Sequence, residues 1–123
     1  MLILSGSPRK NRNSDILCEQ FAKGAKEAGN SVEKVYVQDL KISGCRACYG
    51  CRKTMECVQK DDMTELLDKM VAADVIVLAT PVYFYSMDGQ MKIMIDRTLP
   101  RYTEIADIET RAMKEAFEFG KRA

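Results

Sequence analysis

The sequence contains no histidine and no tryptophan. Without histidine, nucleophilic catalysis by a serine–histidine or cysteine–histidine pair and a histidine-rich zinc site are excluded. A strong charge of either sign is also lacking, because 19 Lys and Arg against 18 Asp and Glu leave a formal net charge of +1. Such a balance gives no bulk attraction to nucleic acid or acidic lipid, so we expect no nucleic-acid partner.

Long apolar runs are absent as well. No run approaches the roughly 18 to 20 residues that cross a bilayer, and the first residues show no signal-peptide pattern, so we expect a cytoplasmic protein without a membrane partner. The length of 123 residues predicts a single domain, 1–123. Five cysteines in a reducing compartment indicate metal binding or catalysis rather than a disulfide framework.

Apolar patterning predicts an alternation of strands and helices. Strands are predicted over 1–4, 31–37 and 75–80, and helices over 15–28, 61–74, 91–99 and 108–123. Polar residues in the second strand favour an edge position. The first helix is expected to face the core through Ile16, Leu17, Phe21, Ala25 and Ala28. The alternation predicts an α/β fold with a parallel sheet between helices, and ligands at the carboxyl ends of the strands.

The segment SGSPRKNRNS, the first loop (residues 5–14), lies between the first predicted strand and helix. A helix N-terminus presents free N–H groups and partial positive charge, so hydroxyls and cations before it favour an anion site. The loop matches neither of the common nucleotide-phosphate motifs, which favours a phosphate monoester. The alternative is that Asn13 or Ser14 simply caps the helix while the cations face water. The candidate anion contacts are Ser5, Gly6, Ser7, Arg9, Lys10, Asn13 and Ser14.

The second loop, residues 80–90, follows the third predicted strand and carries three consecutive aromatic residues, Tyr83, Phe84 and Tyr85. Consecutive rings cannot all point into the core, so at least one is expected to face a cleft or a partner chain. A flat heteroaromatic ligand would use them. The alternative is that Tyr83 and Phe84 cover the end of the sheet or form a dimer contact.

Four of the five cysteines fall in a C-x2-C-x2-C-x5-C pattern, at Cys45, Cys48, Cys51 and Cys57. Four thiolates at this spacing favour an iron–sulfur cluster over zinc, whose structural sites usually take two separated cysteine pairs. The thiols could also be free, or paired only after isolation. The segment around them is expected to be a loop with one helical turn. Cys18, on the first helix, is expected to be a small core residue.

Three motifs in order carry a family resemblance: GSPRKNRNS, the cysteine motif followed by KDDM, and TPVYFYSMDGQMKIMIDR. Together they resemble the NAD(P)H-dependent FMN reductase superfamily of flavodoxin-like proteins, in its iron–sulfur flavoprotein branch. The resemblance covers residues 1–97 and implies a three-layer sandwich with strand order 2-1-3, followed by 4-5 if complete. No fourth or fifth strand is predicted here, so either residues are missing near 102–103 or association completes the sheet.

The resemblance also implies cofactors and their contacts: FMN on the two loops, and a [4Fe-4S] cluster in a cysteine loop, an insert over 44–58. The implied phosphate contacts are Ser5, Ser7, Pro8, Arg9, Asn13 and Ser14. The implied flavin-ring contacts are Pro81, Val82, Tyr83, Phe84, Tyr85 and Ser86. The implied cluster ligands are Cys45, Cys48, Cys51 and Cys57.

The expected function is that of an FMN-dependent oxidoreductase reduced by NAD(P)H, which needs no acid–base side chain because the cofactors carry the redox chemistry. One alternative is a non-catalytic electron carrier that is reduced by a redox protein such as ferredoxin. Another is a metal-stabilised interaction domain without flavin. Members of the family form dimers and tetramers, so we expect a homodimer or homotetramer.

Overall fold

The computed structural model describes residues 1–105. Its strands are β1 (Leu2–Ser5), β2 (Glu33–Tyr36) and β3 (Ile76–Ala79). Its helices are α1 (Asn13–Glu27), α2 (Cys51–Thr54), α3 (Met63–Ala72) and α4 (Gly89–Asp96), with 3-10 turns at Val37–Asp39 and Leu99–Arg101. The helix predicted over 108–123 lies outside the described residues.

The three strands form one parallel sheet in the order β2-β1-β3. Leu2 of β1 lies opposite Glu33 of β2 and Ile76 of β3, and the pairing continues in step to Ser5. The predicted α/β fold and strand order are therefore confirmed, and β2 occupies the edge that its polar residues indicated. In the part of the chain that the structure describes, β3 forms the other edge.

The centre of the sheet is β1, which is buried on both faces. Alternate side chains of a strand point to opposite faces, so Leu2 and Leu4 enter one core and Ile3 enters the other. The first core contains side chains of α3 and α4, and the second contains Cys18 and Ala22 of α1. Helices therefore cover both faces, which confirms the three-layer arrangement and the core position of Cys18.

Helix α1 meets the sheet through a line of residues that differs from the predicted one. Its buried residues are Asp15, Cys18 and Ala22. The predicted core residues Ile16, Leu17 and Phe21 are wrong, because their side chains are 51%, 70% and 48% exposed; Ala25 is half-buried and Ala28 is exposed. The helix packs the small side chains of Cys18 and Ala22 against β1. The Asp15 carboxylate is also buried, because several hydrogen-bond donors satisfy it.

The other boundaries shift by a few residues. Helix α3 follows the prediction and buries Met63, Leu66, Leu67 and Met70. Helix α4 starts at Gly89, two residues before the predicted start, and Pro100 lies in a 3-10 turn beyond its end. In the third strand Leu78 is 49% exposed, and among residues 1–105 only β1 pairs with this strand. No helix in residues 1–105 is long and apolar enough to cross a membrane.

Candidate functional site

The first and second loops start side by side at the carboxyl ends of β1 and β3. The amide of Gly6 donates a hydrogen bond of 2.8 Å to the carbonyl of Ala79. A Cβ atom at position 6 would lie 2.7 Å from Oδ2 of Asp88, so only glycine permits this approach. The bases of the two loops are therefore in contact, as the shared edge of a parallel sheet requires.

The base of the first loop is buried and its tip is exposed. Ser5 and Ser7 are excluded from solvent, and the Ser7 hydroxyl shapes the turn by accepting from the Arg9 amide (3.3 Å) and donating to the Arg9 carbonyl (3.1 Å). The Ser5 hydroxyl has no hydrogen-bond partner among the described residues. Of the other predicted phosphate contacts, Ser14 is half-buried and the rest are exposed: Pro8, Arg9 and Asn13.

The N-terminus of α1 lies directly behind this loop. Its N-cap residue is Arg12, and no side chain within residues 1–105 accepts from the first amides of the helix. The alternative in which Asn13 or Ser14 merely caps the helix is therefore wrong, since both lie within its first turn. The helix N-terminus keeps free donors and its partial positive charge beside the loop.

Lys10 and the two arginines of the first loop, Arg9 and Arg12, have different surroundings. Nζ of Lys10 lies 2.7 Å from the Asp39 carboxylate and 4.5 Å from the centre of the Tyr36 ring. Hydrogen bonding to Asp39 raises the pKa of Lys10. Arg9 is exposed and makes no salt bridge within residues 1–105. Arg9 thus remains available to a ligand, as does Arg12, which is also exposed and makes no salt bridge within residues 1–105.

Asp15 supports the first loop from below, a role that its sequence pattern did not reveal. Its carboxylate is 2% exposed and accepts from the Asn11 amide (2.7 Å), from the Tyr36 hydroxyl (3.3 Å) and from Nζ of Lys34. Burial alone would raise the pKa of Asp15, but these hydrogen bonds outweigh it and lower the pKa. The Asn11 backbone has a φ of 59°, so Asp15 holds a residue in the left-handed region.

The second loop ends in an exposed aromatic hairpin. Tyr83 and Ser86 exchange backbone hydrogen bonds of 2.8 and 3.0 Å, and Phe84 and Tyr85 form the two-residue turn between them. Both turn residues have positive φ, 44° and 68°, which is unfavourable for bulky side chains. Phe84 is 96% exposed, so the alternative in which it covers the end of the sheet is wrong. Tyr83 is also largely exposed, at 43%.

The remaining predicted ring contacts flank this hairpin. Val82 is 80% exposed, Ser86 is exposed and Pro81 is half-buried. The rings of Phe84 and Tyr85 meet edge to face with their centres 5.7 Å apart. The structure therefore exposes four consecutive apolar and aromatic side chains just beyond the end of β3: Val82, Tyr83, Phe84 and Tyr85.

Asp88 joins the second loop to α4 and is a second residue that sequence reasoning missed. Oδ1 of Asp88 accepts from the Met91 amide at 2.8 Å, which caps α4, and its own amide donates to Oγ1 of Thr80 at 3.0 Å. The side chain is 1% exposed. An aspartate directly before an apolar helical run is the N-cap signal that could have identified it.

The four cysteines of the motif line one cavity. Cys45 and Cys48 are exposed, Cys51 and Cys57 are half-buried, and all four border the same space. Cys51 begins α2, which confirms the predicted single helical turn. No disulfide bond joins any of the five cysteines, all of which lie within residues 1–105. Nowhere in residues 1–105 are three or more potential metal ligands already arranged around one metal position.

The backbone of the cysteine loop is strained. Ala47, Tyr49 and Met55 have φ values of 52°, 56° and 59°, in the left-handed region that non-glycine residues avoid. Gly50, by contrast, has ordinary helical angles, and a Cβ there would lie 2.9 Å from Cγ1 of the exposed Val58 side chain. Such a conformation persists only where surrounding contacts enforce it, as is common at binding sites.

Comparison with known proteins places this geometry in a family. Residues 1–113 match the family model described as NADPH-dependent FMN reductase. An iron–sulfur flavoprotein of Archaeoglobus fulgidus is 42% identical over 95 residues, which are 77% of this chain and 43% of that protein. An iron–sulfur flavoprotein of Methanosarcina thermophila is 38% identical over 96 residues, 78% of this chain and 50% of that protein. This chain thus spans about half the length of these relatives.

A solved structure gives the same result. The structure of a flavone reductase superposes with a TM-score of 0.63 at 35% identity, and the match covers 81% of this chain and 30% of that one. The resemblance deduced from the three motifs is confirmed, whereas the individual cofactor contacts stay predictions. With a family model matched over residues 1–113, the chain belongs to the NADPH-dependent FMN reductase family.

Proposed function

We propose that this chain binds FMN between its first and second loops and serves as a flavoprotein oxidoreductase in electron transfer. Family membership supports the flavoprotein role. The observation that carries the proposal is the N-terminus of the 15-residue helix α1, which adjoins the first loop; among residues 1–105 this terminus has no side-chain cap, the buried Ser5 hydroxyl has no partner and Arg9 makes no salt bridge. Free amides, a hydroxyl and a cation at the end of a central strand are what a phosphate monoester requires.

The phosphate contacts divide into two groups. Ser5 and Ser7 form the floor of the first loop, and the latter's hydroxyl also fixes the turn that presents Arg9. Asn13 and Ser14 lie in the first turn of α1. Their side chains and amides are therefore at the N-terminal end of the helix, where the helix dipole is positive and favours an anion. Pro8 restricts the backbone between the two groups.

The flavin ring is assigned to the surface of Pro81, Val82 and the aromatic hairpin. The exposed apolar area of this segment would be removed from water by a planar ring, which favours binding by about 25 cal/mol per Å² of buried apolar surface. Bound FMN would supply both two-electron and one-electron chemistry. The residues of the chain bind the ring, orient it and exclude water from one of its faces.

We further propose that Cys45, Cys48, Cys51 and Cys57 bind an iron–sulfur cluster of the [4Fe-4S] type. Two observations support this assignment: the four thiols share one cavity, and their spacing suits cluster ligation. The thiols fit the donor set of a cluster, which would supply one-electron transfer. A zinc ion is the competing occupant, and measurement of iron, zinc and acid-labile sulfide after anaerobic reconstitution separates the two.

A nicotinamide is the proposed reductant and a ferredoxin-like redox protein the proposed alternative partner. Anaerobic oxidation of NADPH by the FMN-loaded protein separates an enzyme from a pure carrier, which would leave NADPH unchanged. Association into a homodimer or homotetramer is supported by apolar side chains that are exposed along β3 and beyond it: Val75, Leu78, Val82, Phe84 and Tyr85. Analytical ultracentrifugation measures the assembly directly.

The FMN assignment is tested by comparing FMN with riboflavin, which lacks the phosphate. Flavin fluorescence titration of the wild type is expected to show binding of FMN at least ten times tighter than that of riboflavin. Arg9→Ala and Ser14→Ala should each weaken FMN binding at least tenfold and leave riboflavin binding unchanged. Lys23→Ala, an exposed position farther along α1, is the matched control. Equal affinity for both flavins, or FMN binding unaffected by both substitutions, would contradict the phosphate assignment.

A further inference from the structure

Arg97, the residue that ends α4, is 1% exposed and extends into the cysteine loop. Its Nη1 donates to the Ser43 carbonyl at 2.7 Å, and its Nη2 donates to the Gln59 carbonyl at 3.3 Å. Ser43 directly precedes the cysteine loop (residues 44–58) and Gln59 directly follows it. One guanidinium thus joins the two ends of the segment that carries all four candidate ligands.

Asp61 compensates the buried charge of Arg97. Its two carboxylate oxygens accept from Nη1 at 2.7 Å and from Nη2 at 3.0 Å, a bidentate pair. Burial alone would raise the pKa of Asp61, but the hydrogen bonds from Arg97 and from the Ser43 and Met63 amides outweigh it and lower the pKa. The carboxylate is therefore an anion that orients the guanidinium toward both ends of the loop.

A buried ion pair of this kind contributes little net stability, because both charges lose their hydration. Apolar residues of similar volume often stabilise a protein as well as a buried ion pair does, so such a pair is better explained by the geometry it imposes. The cysteine loop needs that geometry, because Ala47, Tyr49 and Met55 hold unfavourable positive φ angles. The fork of Arg97 makes four hydrogen bonds in fixed directions, to two carbonyls and both carboxylate oxygens of Asp61, whereas an ammonium has only three donors.

One donor of Arg97 is left over. A guanidinium has five N–H groups, four of which make the bonds described above, and Nε has no partner among the described residues. Arg97 lines the same cavity as the four thiols, and Cys57 lies beside its guanidinium. A buried N–H group without a partner is costly, so a sulfur atom held in this cavity is its natural acceptor.

We propose that Arg97 is a positioning residue for the cysteine loop, which it closes at both ends, and that its free Nε–H donates to a sulfur atom bound in the cavity. The second part rests on the proposed function, because it requires a sulfur-ligated group. The first part does not, since it concerns only the conformation of the chain. The two parts are therefore tested separately.

Loop closure is tested on the protein free of iron and flavin, by hydrogen exchange of the backbone amides. Arg97→Lys keeps the charge and loses the fork, and should accelerate exchange in residues 44–58 at least tenfold. Arg101→Lys is the matched control, because Arg101 lies four residues on and also pairs with carboxylates, those of Asp68 and Glu104; exchange in the loop should stay within twofold. Wild-type protection of the loop in Arg97→Lys would overturn loop closure.

A second variant covers the case in which the single substitution prevents folding. Arg97→Gln combined with Asp61→Asn removes both charges together and leaves no unpaired ion in the interior. This double variant should exchange rapidly in residues 44–58 and normally in α1 and β1. Wild-type protection in residues 44–58 would show that other contacts hold the loop, and would overturn its assignment to Arg97.

The donor to sulfur is tested after anaerobic reconstitution with ferrous iron and sulfide. Relative to the wild type and Arg101→Lys, Arg97→Lys should release iron to a chelator at least tenfold faster and show a lower reduction potential, because donors to cluster sulfur raise the potential. FMN affinity should be the same in all three proteins. Identical release rates and potentials overturn the donor assignment. If the wild type takes up no iron, both the donor assignment of Arg97 and the proposed cluster are overturned. Loop closure by Arg97 is still decided by the hydrogen-exchange experiment.

Discussion

The ion pair beneath the first loop offers the sharpest test of how the fold supports the site. Asp15→Asn preserves the size of the side chain and removes the charge that faces Lys34, the Asn11 amide and the Tyr36 hydroxyl. The side chains of Asp15 and Lys34 are 2% and 12% exposed, so their pairing counts as buried. Loss of one partner of a buried pair costs about 3 to 5 kcal/mol.

The lower end of that range applies here, because Lys34 keeps a second partner, Glu19, at 2.6 Å. We expect Asp15→Asn to lower the free energy of unfolding by about 3 kcal/mol. With an m-value of about 2 kcal/mol per M, the urea midpoint should fall by about 1.5 M. Glu19→Gln is the matched control, since its carboxylate contacts the same Lys34 but is 59% exposed. Such an exposed pair contributes about 1 kcal/mol at most.

The pH dependence of the same variant gives an independent readout. The pKa of Asp15 is lowered in the folded state, so its contribution is complete above the unfolded value of about 3.9 and is lost as the pH falls through the folded value. The pKa of Lys34 is raised, since its carboxylate partners outweigh the opposing effect of burial, so its contribution persists below about pH 10.4 and is lost at higher pH. Asp15→Asn should flatten the acid limb of the stability profile below about pH 4.

Asp15→Asn should change flavin binding as well as stability. Asp15 holds the Asn11 amide, so Asp15→Asn should weaken binding of FMN, which has a phosphate, more than binding of riboflavin. The reasoning is refuted if Asp15→Asn and Glu19→Gln shift the urea midpoint equally, or if Asp15→Asn leaves the acid limb unchanged. Either result would mean that solvent, rather than the carboxylate, satisfies Lys34.

Two further substitutions test backbone features of the site. Gly6→Ala should lower the thermal midpoint and weaken FMN binding, because its Cβ would lie 2.7 Å from the Asp88 carboxylate; Gly24→Ala, where a Cβ meets nothing within 4 Å, should instead stabilise the protein by about 0.5 to 1 kcal/mol. Destabilisation by both would contradict the close approach. Phe84→Gly should raise stability by about 1 kcal/mol by relieving its positive φ and should weaken binding of both flavins, and unchanged flavin affinity would remove Phe84 from the ring site.

The order of the elements could be predicted because it depends on local patterns. The polar composition of 31–37 indicated an edge strand, and apolar spacing indicated a helix over 61–74; both are confirmed. The family resemblance followed in the same way from three motifs with fixed spacing. Each of these signals lies within a few residues along the chain, where sequence and geometry are closely linked.

The failures concern partners that lie far apart in sequence. The orientation of α1 could not be predicted, because Asp15 is buried only where Lys34 and Tyr36 reach it from β2. Helix α1 is consequently oriented with Asp15 toward the interior, and Ile16 and Leu17 face outward although they are apolar. Helix periodicity identifies an apolar face, but it does not reveal that a hydrogen-bonded carboxylate is buried instead of that face.

The candidate site shows the same division. The two loops and the cysteine loop could be located from composition alone, but most contacts that hold them in shape could not. Asp88 has a local signal as the N-cap of α4, yet its contact with Thr80 has none. The contacts of Arg97 with Ser43 and Asp61 also carry no local motif, so only a three-dimensional arrangement reveals them.

Helix α4 fixes the distance between the two candidate redox sites, the proposed flavin site at the second loop and the cysteine loop. Asp88 caps its start at the end of the second loop and Arg97 caps its end at the cysteine loop, with the eight helical residues between them. At 1.5 Å per residue, the nine steps from Asp88 to Arg97 span about 13.5 Å. Insertion of one residue would swing Arg97 by about 100° and carry its guanidinium away from Asp61, whereas insertion of seven would nearly restore the direction at a separation about 10 Å greater. The length of this helix therefore sets both the spacing and the angular phase of the two sites, and neither can change gradually.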